Sequence, residues 1–175
     1  MRPLFYLYSM PKSISTKTRT LKKPVVAPKT GTKKNKIFSS IIPCLRYQDA
    51  GTAIDWLCDA FGFEKDVVIE NKDGSVGHAQ LTFNGSMIML GSVDNKSEWG
   101  KFIKQPSEIG NFQTQSPFVI VSDPDTHYKN AKAHGAKIAL DIKTEEYGGR
   151  GYSCYDPEGH LWNFGSYNPW EKDSK

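Results

Sequence analysis

The chain has 175 residues, 38% of them hydrophobic, which suits one compact domain with an added tail. No apolar run approaches the roughly 18–20 residues that cross a bilayer, and three cysteines without motif spacing, Cys44, Cys58 and Cys154, argue against a disulfide framework. The net charge of +4 hides an asymmetry: the first 48 residues hold eleven Lys or Arg and no acid, and the rest holds twelve basic against nineteen acidic residues, a net of −7. Reduced thiols and the lack of a span make a cytoplasmic protein with no membrane contact the expectation.

The basic arm, residues 1–36, is rich in Lys, Thr, Ser and Pro and has no hydrophobic period. Such a segment buries too little surface to offset its ordering entropy, so disorder is expected. It reads as a solubilising extension, or as the product of an upstream start codon with Met10 as the true start. A polyanion-binding arm and a transit peptide are the sharper readings, although transit peptides favour Arg and this arm favours Lys.

The folded domain is expected over 37–170, with a tail at 171–175. Its first strand is predicted at about 38–47. A helix over 50–61 follows, with Ala50, Ala53, Ile54, Leu57, Cys58 and Phe61 on one stripe. Asp49 is its N-cap and Gly62 its left-handed C-terminal residue. Strands at 64–70, 75–83 and 86–91 complete a first module of about 37–92, with Asn84-Gly85 a strong hairpin signal. A connection, 93–116, carries Trp99, Phe102 and Phe112.

A second module, about 117–167, repeats the plan 74 residues on: a strand at 117–122, a helix capped by Asp123 and started by Pro124, and strands at 137–144, 150–155 and 161–166. At that offset Gly85, Gly91 and Ser92 fall on Gly159, Gly165 and Ser166, which points to duplication.

Several strings in the chain resemble the vicinal oxygen chelate superfamily. They are Ser122-Asp123-Pro124-Asp125, Gly135-Ala136, Tyr147-Gly148 and Asp156-Pro157-Glu158-Gly159-His160-Leu161-Trp162, with Leu45-Arg46-Tyr47 and Ala60-Phe61-Gly62-Phe63 in the first half. The likeness runs from about Ile37 to Tyr167. It implies an α+β fold, the glyoxalase/bleomycin-resistance fold, with two βαβββ modules whose curved mixed sheets surround a shared cleft. Relatives of this kind include metal-dependent glyoxalases, extradiol dioxygenases, fosfomycin-resistance transferases and metal-free proteins that sequester bleomycin. They commonly complete their sites across a two-fold dimer, so a homodimer is expected.

The resemblance also implies where metal ligands would stand. Those positions fall at Ile42 or Pro43, at Pro117 or Phe118, at Met89 and at Asn163. None offers the imidazole or carboxylate that such cations need, so no metal and no cofactor is expected. Strand alternation places Ile42, Cys44, Met87, Met89, Val119, Val121 and Leu161 along the expected cleft, with polar points at Arg46, His78, Gln80 and Asn163. Trp99 either lids that groove or anchors the connection. Trp162 belongs to the core. His78 is the candidate general base, or a satisfied sheet residue. Arg46 either holds an anion or pairs with a surface acid. Arg150 and Tyr152 are placed near the cleft mouth or, the favoured reading, at an exposed hairpin end; His127 and His134 lie in solvent on the second helix and His160 at the surface; Cys44 is a nucleophile or, the favoured reading, a small buried hydrophobe.

No phosphate loop, nucleophile elbow or Cys-x-x-Cys pair is present. Three functions stay open. The first is a metal-free module binding a small apolar or aromatic molecule through Arg46, His78, Gln80, Met87, Met89, Trp99 and Asn163. The second is a glyoxalase-like enzyme, a lyase or other, using His78 or a metal held elsewhere. The third is an interaction protein tethered by its basic arm.

Overall fold

The computed structural model describes residues 39–94 and 96–171; the basic arm, the start of the expected first strand and the last four residues of the tail lie outside the described residues. Module one is β1 (Cys44–Tyr47), α1 (Ala50–Phe61), β2 (Glu64–Glu70), β3 (Val76–Phe83) and β4 (Ser86–Ser92). Module two is β5 (Phe118–Ile120), α2 (Pro124–Ala133), β6 (Lys137–Thr144), β7 (Arg150–Tyr155) and β8 (Leu161–Gly165). Among the described residues no helix is long and apolar enough to cross a membrane.

Each module is a four-stranded mixed sheet, in the orders β1-β4-β3-β2 and β5-β8-β7-β6. The β1–β4 and β5–β8 pairs are parallel and the others antiparallel. This corrects the expectation that the mixed sheets are curved. The two sheets are open, neither curled nor closed, and among the described residues no strand pair joins them. Alternation along a strand sorts side chains by face, but it carries no information on how a sheet bends.

The duplication holds in the hydrogen bonds. Asp49 Oδ1 accepts from Thr52 N and Asp123 Oδ1 from Thr126 N, both at 3.0 Å, and each Thr hydroxyl returns to the other carboxylate oxygen. Ser92 Oγ accepts from Val76 N and Ser166 Oγ from Arg150 N, again both at 3.0 Å. The Gly-Ser pairs that match in sequence therefore end β4 and β8 in the same way. Asn84 and Gly85 both take positive φ, 48° and 82°, as the tight β3–β4 hairpin requires.

The helices cover one face of their sheets. Ala50, Ala53, Ile54, Leu57, Ala60 and Phe61 of α1 are buried with Ala79, Leu81, Ile88 and Leu90. Trp162 and Phe164 of β8 are fully buried against Phe61, with ring centroids 5.5 and 4.6 Å away. Removing Leu57 would leave a cavity that costs about 2–5 kcal/mol. The helices also bind each other: Trp56 Nε1 donates to His134 O at 2.7 Å, and Asn130 Nδ2 donates to Asp59 O and Ala60 O at 2.8 and 3.0 Å.

Two buried polar clusters complete the junction between the modules. Asp156, 4% exposed, accepts from the Tyr47 hydroxyl at 2.7 Å and from Trp162 Nε1 at 3.1 Å with one oxygen. Its other oxygen accepts from Glu158 N and His160 N. Burial, then the Asp156 charge, holds the Tyr47 phenol well above its ordinary range. Glu158 accepts from Gln48 N at 2.6 Å and Asp49 N at 2.9 Å, and His160 Nε2 donates to Arg46 O at 2.9 Å. The Asp-Pro-Glu-Gly turn is thus a clasp that grips the end of β1, and His160 is half-buried in it rather than free at the surface.

His127 forms the second cluster, against the expectation that it is solvated. Its Nε2 donates to Phe61 O at 3.0 Å, so Nδ1 accepts from the Tyr152 hydroxyl at 2.6 Å. Its ring lies 4.4 Å from Phe164. Tyr152 is buried here, not at a cleft mouth. Helical position alone made His127 look exposed, because its neighbour across the junction is remote in sequence.

Candidate functional site on the open face of sheet one

The sheet faces turned away from the helices carry the expected site residues, but on two separate sheets. On sheet one, register places Cys44, Met89, Gln80 and Val67 side by side across β1, β4, β3 and β2. Arg46 pairs with Gly91 and His78 with Ile69 in the next row, and Met87 pairs with Thr82. Arg46, His78, Gln80, Met87 and Met89 are all half-buried, while Cys44 is exposed and not the buried hydrophobe expected. The result is a thioether and aliphatic surface edged by a guanidinium, an imidazole and an amide.

The polar groups on this face have few protein partners. His78 Nε2 lies 3.2 Å from Gln80 Nε2, a neutral group two residues along the same strand. Arg46 Nη1 donates to Ser92 O at 3.3 Å. The guanidinium crosses Gly91, where a Cβ would stand only 2.4 Å from Nη1, and meets the face of Trp99 at 4.8 Å from its centroid. Glycine at 91 is therefore what lets Arg46 lie along the sheet, and a cation–π contact brings Trp99 of the connection over it. Trp99 remains 47% exposed.

Asn163 makes no hydrogen bond to these residues among the described ones. It lies on sheet two, opposite Phe118 and Ser153. Its Oδ1 accepts from Ser153 Oγ at 2.7 Å, and its Nδ2 donates to Ser116 Oγ and Pro117 O at 2.8 and 3.2 Å. Its side chain locks β5, β7 and β8 together. Val119 and Val121 also leave the expected groove, since both pack into the core and Phe118 and Ile120 take the open face. Four successive apolar residues give no alternation from which to choose.

The positions at which the resemblance implies metal ligands do not fit a cation. Met89 sits beside Cys44, and Asn163 beside Phe118. Among the described residues no three His, Cys, Asp or Glu side chains gather. Thioether, phenyl and an occupied amide are poor donors for a hard or borderline cation. Of the thiols, Cys154 is pushed up to about 12 by burial and is chemically quiet.

Two βαβββ modules at a fixed offset, each with a helix on one sheet face and the other face open, define the class of this protein. Residues 40–164 match the family described as the Glyoxalase/Bleomycin resistance protein/Dioxygenase superfamily, and the chain belongs to it. Uncharacterized proteins of Mycobacterium bovis and Mycobacterium tuberculosis are each 30% identical over 129 residues, covering 72% of this chain and 82% and 73% of the relatives. Among solved structures, TioX from a Micromonospora species is 29% identical with a TM-score of 0.58, over 74% of this chain and 99% of its own. The genomically encoded fosfomycin resistance protein FosX of Listeria monocytogenes, solved with Mn(II) and sulfate, shares the fold at 14% identity and a TM-score of 0.54, over 75% of this chain and 91% of its own.

Proposed function

We propose that this protein binds a small apolar or aromatic molecule, without a metal, on the open face of sheet one. The observation that carries the reading is the combination of Met87 and Met89 with Arg46, His78 and Gln80 on one half-buried surface, edged by Trp99. An apolar floor with a few polar points is the usual profile of a small-molecule site, and flexible thioethers suit a flat ligand. The superfamily's inclusion of bleomycin resistance proteins supports binding without turnover. His78 favours binding over base catalysis, because its partner is the neutral Gln80 and not a carboxylate that would orient and charge it. A homodimer accompanies this reading. Phe118 and Leu140 are exposed apolar residues of sheet two, and a second copy of the chain would shield such surface.

The test is a thermal-shift and methyl-NMR screen of planar aromatic compounds. Hits should move the Met87 and Met89 methyl signals and lose affinity about tenfold or more in Arg46→Ala or His78→Ala, as expected for one lost charge-assisted hydrogen bond or comparable contact. Hits that leave both methyls unmoved would refute the site. Turnover of a hit that vanishes in His78→Ala with binding intact would replace binding by catalysis.

A further inference from the structure

On the helix side of sheet one, away from the open face, a cavity lies between α1 and the clasp. Tyr47, Ala53, Trp56, Leu57 and Pro157 give it apolar walls, and Asp49 and Glu158 line it as well. Its inner volume is about 90 Å³, several times what one water needs, within a wider opening of about 370 Å³. None of Arg46, His78, Met87 and Met89 borders it. Tyr47 and Arg46 are neighbours on β1 and so face opposite sides of the sheet, which keeps the two places apart. A hollow walled by carbon is stabilised by any apolar group that fills it.

The charge around this cavity is one-sided. Asp49 is the exposed N-cap of α1, and its bonds to Thr52 hold its carboxyl below the ordinary value, so it is ionised at neutral pH. Glu158 accepts from the Gln48 and Asp49 N–H groups, and Asp156 lies buried beside it. Among the described residues the salt bridges join Lys65 to Asp55, Lys101 to Glu98, Lys104 to Glu108, Lys143 to Glu145 and Arg150 to Asp125. None of them reaches Asp49, Asp156 or Glu158. The N-terminus of α1 offsets about half an elementary charge, which leaves the mouth acidic. Asp49 and Glu158 each accept two of these hydrogen bonds, and a carboxylate can accept about four, so both keep capacity for a ligand.

Apolar walls with an acidic mouth select the ligand. A fatty acid or a free amino acid would bring its carboxylate against Asp49 and Glu158. A lysine side chain entering tip first would bury its ammonium against carbon, where a charge is costly. A short amine entering tail first meets neither penalty. We propose that this cavity is a second ligand site, for a short primary alkylammonium: its chain lies against Ala53, Trp56 and Leu57, and its ammonium donates to Asp49 and Glu158 at the mouth. The site is separate from the open face and does not depend on what binds there.

Pentylammonium, pentanol and hexanoate test this, because they share a pentyl chain and differ in the head group. The full chain, labelled with ¹⁵N and at its methyls, is titrated with each at one ionic strength. The Trp56 indole and the Ala53 and Leu57 amides report on the cavity, with Trp56→Phe assigning the indole. Pentylammonium should move all three saturably and leave the Met87 and Met89 methyls unmoved. It should bind about fivefold to tenfold more tightly than pentanol, as two exposed ion pairs give, and hexanoate should bind most weakly. Butylammonium should bind about fourfold more weakly than pentylammonium, for the loss of one buried methylene. Asp49→Asn keeps the cap, since Asn serves there as well as Asp. It should cut the advantage of the ammonium about twofold or more and leave pentanol binding unchanged, and about 1 M salt should shrink the wild-type advantage in the same way. Pentanol or hexanoate binding as tightly as pentylammonium, or an advantage that survives both Asp49→Asn and salt, overturns the proposal. So does an unmoved Trp56 indole, or movement of the Met87 and Met89 methyls in its place.

Discussion

The junction between the modules and the open face of sheet one use similar residue types to opposite ends. At the junction every polar group is matched: Asp156 takes four donors, Glu158 takes two backbone N–H groups, and His127 joins Phe61 O to the Tyr152 hydroxyl. On the open face, among the described residues, the His78 side chain hydrogen-bonds only with Gln80, the Arg46 side chain makes one hydrogen bond, and Met87 and Met89 keep part of their surface in water. Complete satisfaction marks residues that hold the fold, and incomplete satisfaction is what the proposed ligand face requires. The most family-specific string, Asp156 to Trp162, falls wholly in the first group. It identifies the superfamily and says nothing of what the protein binds.

The largest effect should come from Asp156→Ala. It strands the Tyr47 hydroxyl, Trp162 Nε1 and two backbone donors in a buried place. A loss of about 3–5 kcal/mol is expected, enough to unfold a marginal domain. Urea unfolding measures it, and a loss below about 1 kcal/mol would show that the clasp is ornamental.

His127 should give the next effect, as a slope in stability with pH. Burial lowers its pKa below the ordinary value, only partly opposed by the bond to Phe61 O. Protonated Nδ1 would point a donor at the Tyr152 hydroxyl among Phe61, Phe83 and Phe164. Its folded pKa is depressed, so the unfolded chain binds the extra proton and stability is lost as pH falls below about 6.5. The exposed carboxylates whose pKa is lowered, Asp125 by Arg150 and Asp49 and Asp123 by their Thr caps, act in a separate window below about 4. His127→Gln should flatten Tm between about pH 5 and 7 and leave the lower window alone. An unchanged slope in the variant would assign the effect elsewhere.

Much of this comparison was legible before any coordinates. The caps at Asp49 and Asp123, the Asn84-Gly85 hairpin, the face shared by Met87 and Met89 and the core place of Trp162 are local patterns with local causes. What was not legible depended on residues far apart in sequence. The clasp joins Tyr47 to Asp156 across 109 residues, and the second cluster joins His127 to Phe61 across 66. Sheet curvature, the internal use of Asn163 and the core place of Val119 and Val121 are likewise products of tertiary packing. The burial of Gln105, 2% exposed, was not legible either, since it sits in a connection with no periodicity to mark it.

The smallest effect on stability, and the sharpest test of the contrast, belongs to Met89→Thr. The side chain lies on the open face beside Cys44 and Gln80 and is half-buried. The structural bond at this position is made by the backbone, Met89 N to Pro43 O at 2.9 Å, and a β-branched residue keeps it. Loss of a partly exposed thioether should therefore cost about 1 kcal/mol or less in urea unfolding. The same change removes the centre of the proposed binding floor and puts a hydroxyl there, so aromatic ligands should bind about tenfold more weakly, by calorimetry or NMR titration. If stability falls as far as in Asp156→Ala, this face is core in the working protein, covered by a second copy, and light scattering should then show the wild type as a dimer. If stability and affinity both stay unchanged, the ligand site does not include Met89.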